Sequence, residues 1–329
     1  MAARILVTTP IPEPAPALLE AAGDVHVLPD PPGYDELALL CASGDYDVVL
    51  TQLRDRIDAP LLAAAKVRGI SNYAVGYNNI DIVAATQHGI VVGNTPGVLT
   101  DATADIAMLL VLGTARRVVE ADRMVREGRF HGWEPELMLG SDVSGQVLGL
   151  AGFGRIARAT ARRALGFGME VIFSPRPPGD RPVGAEELGE FAGKVRQVPW
   201  DELVSASDFL SLHVPLTADT RHLVGADVLR RMKPSAILVN TARGPVVDEA
   251  ALVEALASGT IAGAGLDVFE DEPRLAAGLA ELPNTVLLPH VGSATVSVRT
   301  EMARLSALNA ADMAAGRLPQ HAVNPEAWS

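Results

Sequence analysis

The first chemistry visible in this 329-residue chain is a glycine turn. Residues 147–157 read Val-Leu-Gly-Leu-Ala-Gly-Phe-Gly-Arg-Ile-Ala, so Gly152-x-Gly154-x-x-Ala157 lies between a strand-like and a helix-like run. Gly152 permits a tight turn. Gly154 lets backbone approach a pyrophosphate, and Ala157 is small enough for the helix to pack closely on the strand. The helix N-terminus at Arg155 and Ile156 would aim N–H groups and positive dipole at the anion. Roughly 20 residues on, a site for a dinucleotide with a free ribose 2′-hydroxyl usually carries Asp or Glu. Here stand Ser174 and Arg176. A carboxylate repels a 2′-phosphate, whereas a hydroxyl and a guanidinium hydrogen-bond it, so the pattern predicts NADP(H) over NAD(H). The competing reading leaves Arg176 solvated in a loop.

Three further segments carry reactive residue types: Asn240-Thr241-Ala242-Arg243-Gly244, Gly265-Leu266-Asp267-Val268-Phe269-Glu270-Asp271-Glu272-Pro273, and Pro289-His290-Val291-Gly292-Ser293-Ala294-Thr295. Each begins at or follows an apolar run. The carboxyl ends of such runs face the ligand crevice in a doubly wound sheet. Taken singly, each residue has a plain reading: His290 as a satisfied loop histidine, Arg243 as partner to a surface carboxylate, Glu272 as solvent-exposed. Cys41 is the single cysteine, which excludes an intramolecular disulfide and a cysteine zinc site. The remaining histidines lack metal-ligand spacing, so no metal site is expected.

The elements that must position these residues alternate. Strand candidates are Ile5–Thr8, Val25–Leu28, Val48–Leu50, Gly69–Ser71, Ile90–Val92, Val147–Ala151, Glu170–Phe173, Asp208–Leu212, Ala236–Asn240 and Gly263–Val268. Helix candidates are Ala15–Ala22, ended by Gly23 as a left-handed cap, Tyr34–Cys41, Thr100–Arg117, Arg155–Leu165, residues 249–258 capped by Asp248, and Ser297–Ala315. Strand and helix in alternation, with apolar runs lacking period-two alternation, predict parallel sheets covered on both faces. The proline clusters around Pro10–Pro16 and Pro175–Pro182 read as rigid loops, with ligand recognition as the alternative.

The length suggests about two domains. Net charge is −13, which disfavours nucleic acid and anionic lipid as partners. No apolar run approaches the ~20 residues of a membrane span, and the N-terminus does not read as a signal peptide. A cytoplasmic location is expected.

Together these segments resemble the D-isomer-specific 2-hydroxyacid dehydrogenases over nearly the whole chain. Within Val98 to Arg176, Leu99-Thr100-Asp101-Ala102-Thr103-Ala104-Asp105 and Gly166-Phe167-Gly168-Met169 look like the glyoxylate/hydroxypyruvate reductase subgroup. The resemblance implies an α/β fold of two doubly wound parallel-sheet domains with a cleft between them that closes on binding. The flavodoxin-like substrate domain would comprise residues 1–98 plus 289–329, and the Rossmann cofactor domain residues 99–288. The family's catalytic triad falls on Arg243, Glu272 and His290, with substrate binding by Val75, Gly76, Arg243 and Ser293. Asp267 would lie near the nicotinamide, Pro215 and Thr241 join the cofactor candidates, and His213 lies by the cofactor without a catalytic role.

The implied reaction is NAD(P)H-dependent reduction of a small 2-oxo acid to the 2-hydroxy acid, with His290 as general acid. Asn78 departs from the Asp that many relatives carry, leaving fine substrate preference open. Trp133 and Pro135 match a subgroup feature in which an arm from a partner subunit reaches the active site, which implies a homodimer. The other reading of Trp133 is packing in its own core. Two functional alternatives stand: a dehydrogenase for a bulkier D-2-hydroxy acid, or a dinucleotide-sensing binding protein on the same fold.

Overall fold

The computed structural model describes residues 2–179 and 181–328; the outermost residues of the expected substrate domain, 1 and 329, lie outside this range. The chain divides into two compact units. One runs to Leu99 and resumes at Ala294, and the other spans Thr100–Ser293.

In the first unit, strands β1 (Arg4–Val7), β2 (Asp24–Val27), β3 (Val48–Thr51), β4 (Gly69–Asn72) and β5 (Val91–Gly93) form one parallel sheet in the order β2-β1-β3-β4-β5. This is the flavodoxin-like order. Side chains alternate across it. Leu6, Val49, Ile70 and Val92 join one buried cluster, while Ile5, Val7, Val48, Leu50 and Val91 join the other. Apolar residues on both faces explain the absence of a period-two pattern in the sequence.

In the second unit, β6 (Val147–Ala151), β7 (Glu170–Ser174), β8 (Val195–Gln197), β9 (Phe209–Leu212), β10 (Ile237–Asn240), β11 (Gly263–Leu266) and β12 (Thr285–Leu287) make a seven-stranded parallel sheet. The order is β12-β11-β10-β9-β6-β7-β8. Counted from β6, this is the Rossmann order extended by one strand. The helix Thr100–Ala115 lies close on β10 and β11. A Cβ on Gly265 would stand 2.7 Å from the Leu110 Cβ, and one on Gly263 2.8 Å from the Thr114 Cγ2, so both strand positions require glycine.

Three local readings are revised. Gly23 is not a left-handed cap: its φ is not positive, and a Cβ there would meet the Ala3 carbonyl oxygen at 2.2 Å. Close backbone approach is what selects glycine. Short elements such as β8, β12 and the helices Ala59–Ala64, Ile82–Gln87, Val118–Arg126 and Ala226–Arg231 had no sequence signal of sufficient length. The return to the first unit comes at Ala294 instead of 289. Residues 289–293 stay with the second unit because the Val291 and Gly292 N–H groups bond Asp267, and the Gly292 carbonyl accepts from the Thr103 hydroxyl.

Candidate active site

Strand register brings the reactive segments to one edge. Ser174 pairs with Ala151, Ala151 with Leu212, Leu212 with Asn240, Asn240 with Leu266, and Leu266 with Leu287. These residues end β7, β6, β9, β10, β11 and β12. The loops that begin at Gly152, Pro175, His213, Thr241 and Asp267, and the one leading to His290, therefore leave the sheet in a single row. The order reverses between β6 and β9, the point at which doubly wound sheets open a ligand crevice.

At that reversal Gly152 has φ +93°, and a Cβ there would stand 2.8 Å from the His213 carbonyl oxygen, so only glycine fits. Gly154 caps the helix Arg155–Gly166 without a side-chain bond, and space is open where its side chain would be. The cradle suits a pyrophosphate against the N–H groups of the first turn, including Arg155 and Ile156. Beside it is a cavity of about 360 Å³ whose lining includes Gly154, Arg155, Arg158, Arg176, Arg181 and Glu187. Two of its guanidinium groups are committed. Arg158 lies over the Phe153 ring at 4.6 Å and donates to the Phe153 and Leu188 carbonyls, while Arg181 is paired bidentately with Glu187. Arg155 and Arg176 form no side-chain hydrogen bond or ion pair among the described residues. Ser174 is not part of this lining. Its hydroxyl is buried with no hydrogen-bond partner among the described residues, because the side chain of the last β7 residue turns into the interior. Thr241, just past β10, likewise holds a buried hydroxyl with no partner among the described residues. Pro215 is exposed.

Arg243, Glu272 and His290 come together in the second unit. His290 Nδ1 lies 2.9 Å from a Glu272 carboxylate oxygen, and the other oxygen accepts the Phe269 N–H at 3.0 Å. Burial pushes the Glu272 carboxyl up. The His290 hydrogen bond and charge, the Phe269 N–H and the Arg243 charge outweigh it and hold Glu272 below the usual range. An ionised carboxylate only accepts, so Nδ1 carries a proton and Nε2 is left as the ring atom that exchanges one. His290 adopts φ +55°, a left-handed conformation rare for a side chain with a Cβ.

The same residues are locked through backbone. Asp267, 1% exposed, accepts the Val291 and Gly292 N–H groups at 2.7 Å each, which holds the segment carrying His290. Burial pushes its carboxyl up, although those N–H groups and the His290 charge oppose the rise. Arg243 is held by its carbonyl accepting from Asn240 at 2.9 Å and by its own guanidinium donating to the Ala242 carbonyl at 2.7 Å. Burial lowers the Arg243 pKa and the Glu272 charge works against that. A Cβ on Gly244 would fall 1.8 Å from the Phe269 carbonyl oxygen, so the Arg243 and Glu272 segments touch backbone to backbone. Ser293 follows the segment that Asp267 holds, partly exposed. His213 is largely buried, bonds the Ser211 hydroxyl at 2.9 Å, and is pushed down to about 4 by burial, so it is neutral near pH 7.

Val75 and Gly76 belong to the first unit, in the turn after β4. Among the described residues neither backbone N–H donates a hydrogen bond, while both carbonyls accept, from Asn94 and Asn72. Asp81, in the same segment, caps the helix Ile82–Gln87 by accepting the Ala84 N–H. Trp133 is 83% exposed and does not pack in its own core.

Residues 108–292 match the family described as D-isomer specific 2-hydroxyacid dehydrogenase, NAD binding domain. The chain is 46% identical over 331 residues to the glyoxylate reductase of Thermococcus litoralis, covering 99% of this chain and 98% of that one. It is similar to the crystal structure of a glyoxylate reductase from Paecilomyes thermophila, with 34% identity, a TM-score of 0.86 and coverage of 98% of each chain. It is also similar to an NADPH-dependent glyoxylate/hydroxypyruvate reductase from Sinorhizobium meliloti, solved with NADP and malonate: 35% identity, TM-score 0.86, covering 99% of this chain and 98% of that one. Among the described residues no helix is long and apolar enough to cross a membrane.

Proposed function

The chain belongs to the D-isomer-specific 2-hydroxyacid dehydrogenases and is an NAD(P)-dependent dehydrogenase, and on that premise we propose that it reduces glyoxylate or hydroxypyruvate with NADPH as the preferred cofactor. The observation that carries the catalytic assignment is the Glu272–His290 pair at 2.9 Å beside Arg243. NADPH, when bound, supplies the hydride that reaches the carbonyl carbon. Negative charge then develops on the carbonyl oxygen, and His290 delivers a proton to it from Nε2. Glu272 keeps the imidazole in that tautomer and favours its protonated form. Arg243 clamps the substrate carboxylate and carbonyl oxygen, with Ser293 beside the substrate. Val75 and Gly76 are anion-binding candidates in the first unit, on the strength of their undonated N–H groups.

The Gly152 turn and the first turn at Arg155 and Ile156 would hold the pyrophosphate, with Asp267, Thr241 and Pro215 as further cofactor candidates. Arg176 would meet the 2′-phosphate, supported by its place in the cavity lining and by a guanidinium that has no partner among the described residues. Arg155 takes the place that Ser174 had in the sequence reading. The NADP-bound relative from Sinorhizobium meliloti supports the same preference. We assign a homodimer on the exposed Trp133.

Initial rates of NADPH and NADH oxidation with glyoxylate, hydroxypyruvate and pyruvate test the assignment. Glyoxylate with NADPH should turn over fastest. His290→Ala should lower kcat about 10²- to 10⁴-fold while cofactor still binds. Arg176→Ala should raise KM for NADPH about tenfold and leave that for NADH within about twofold, the loss expected for one charge-assisted bond. Equal losses for both cofactors would remove Arg176 from the 2′-phosphate. A wild-type protein that binds NADPH and reduces none of the three acids would overturn the substrate assignment.

A further inference from the structure

The loop carrying Glu272 has almost no packing to hold it. From Glu270 to Ala276 no residue is buried, and Asp271 to Leu275 are all exposed. Yet Glu272 must hold one oxygen toward His290 to act on it. Hydrogen bonds do the holding, and those from the two ends of the loop converge on one side chain. Glu249, 4% exposed, is the first residue of the helix Glu249–Ala257. One of its carboxylate oxygens accepts the Glu270 N–H at 2.6 Å, and the other accepts the Ala276 N–H at 3.0 Å. A single carboxylate thus ties both ends of the loop. Glu270 closes the arrangement from the other side: its carboxylate accepts from His222 at 2.6 Å, Arg221 at 3.2 Å and, more weakly, the Glu249 N–H at 3.4 Å. Among the described residues Glu249 forms no ion pair with Arg, Lys or His, and it is outside the set given to catalysis. A buried carboxylate without a cation is costly unless fixed donors satisfy it, and the donors here are the two ends of the loop.

We infer that Glu249 is a positioning residue: it sets the loop that presents Glu272 to His290. The inference rests on the reading of Glu272 and His290 as the acid–base pair. Among the described residues Glu249 forms no hydrogen bond or ion pair with His290. The charged groups that act on the imidazole are Glu272, bonded to it, and Asp267, with Arg243 acting on Glu272.

The test is kcat against pH in the reduction direction for Glu249→Ala, Glu249→Gln and Glu272→Gln. KM for glyoxylate, NADPH affinity and Tm are measured alongside. Reduction consumes a proton at the carbonyl oxygen, so kcat falls toward high pH, and a variant in which Glu272 no longer holds His290 should show that fall at lower pH. Glu249→Ala should lower kcat about ten- to a hundredfold, the scale of a misplacement near 1 Å, with KM and NADPH affinity within about twofold. Glu249→Gln keeps the size and one accepting oxygen but sets an NH₂ against one loop N–H, and should lie between. Should the alanine variant not fold, the glutamine variant decides by the same two readings. If Glu272→Gln lowers kcat and moves the pH limb while folded Glu249 variants lose only Tm, the positioning role is wrong and the acid–base pair stands. If Glu272→Gln changes neither kcat nor the limb, the acid–base pair itself is wrong, and the inference falls with it.

Discussion

At the residue scale, burial alone does not decide how a titratable group behaves; its partners do. Glu272 and Asp267 both have burial as their largest influence, yet Glu272 ends below the usual carboxylate range and Asp267 above it. The difference is that His290 bonds Glu272 directly and Arg243 adds its charge there, whereas the Glu272 charge itself pushes Asp267 further up. His213 has no such charged partner. Burial takes it down to about 4, and its neighbour is the neutral Ser211 hydroxyl. The unfolded chain therefore binds a proton at His213 between about pH 6.5 and 4 that the folded chain refuses. Its contribution is intact above about pH 6.5 and lost as pH falls toward 4, amounting to about 3 kcal/mol. Urea denaturation at pH 7 and pH 4.5 should show a smaller acid loss for His213→Gln than for wild type. Equal losses would mean that His213 does not drive the acid sensitivity.

At the scale of elements, the site is built where loops leave strands, and glycine sets how closely those loops approach. Gly244 follows Arg243 and leaves no room for a Cβ against the Phe269–Glu270 peptide. Gly244→Ala must displace either the Arg243 segment or the Glu272 segment. The expected result is a kcat lower by about a hundredfold with most of the NADPH affinity retained, because the Gly152 turn, Arg155 and Arg176 lie on other segments than Thr241 and Asp267. Stopped-flow turnover together with cofactor fluorescence titration would check it, and near-wild-type turnover would show that the two segments are not coupled. Local sequence made much of this scale legible. The apolar runs marked most strands, and Asp248 was readable as the cap that accepts the Ala251 N–H. The three-residue β8 and β12 had no run long enough to register.

For the molecule as a whole, a net charge of −13 coexists with a local arginine cluster around the cavity at Gly154. Net charge disfavours a phosphate-backbone partner, but it carries no information about a single phosphate site, whose field is local. The second whole-molecule feature is the run near Trp133. Phe130 and Leu139 are exposed with it, and no residue of the helix Val118–Arg126 is buried. A tryptophan at an interface centre commonly contributes 2 kcal/mol or more, about a thirtyfold change in affinity. Sedimentation velocity should find wild type at twice the mass of one chain and Trp133→Ala shifted toward single chains at micromolar concentration. Wild type sedimenting as one chain would retire the homodimer.

From sequence alone came what short-range physics controls. The glycine turn follows from the spacing of Gly152, Gly154 and Ala157, and the parallel sheets follow from apolar runs that must be buried on both faces. That Arg243 and the segment carrying Glu272 follow strand ends was readable from those runs, while the grouping of Arg243, Glu272 and His290 came from the family resemblance. Tertiary structure alone decided what depends on residues distant in the chain. The turn of Ser174 into the interior, the pairing of Arg181 with Glu187 beside an Arg155 and an Arg176 that have no side-chain partner among the described residues, and the closing of one loop by Glu249 from 21 and 27 positions away are of this kind. Each is set by which strands and loops fold side by side, and side-chain type and local spacing carry no record of that neighbour until the sheet has formed.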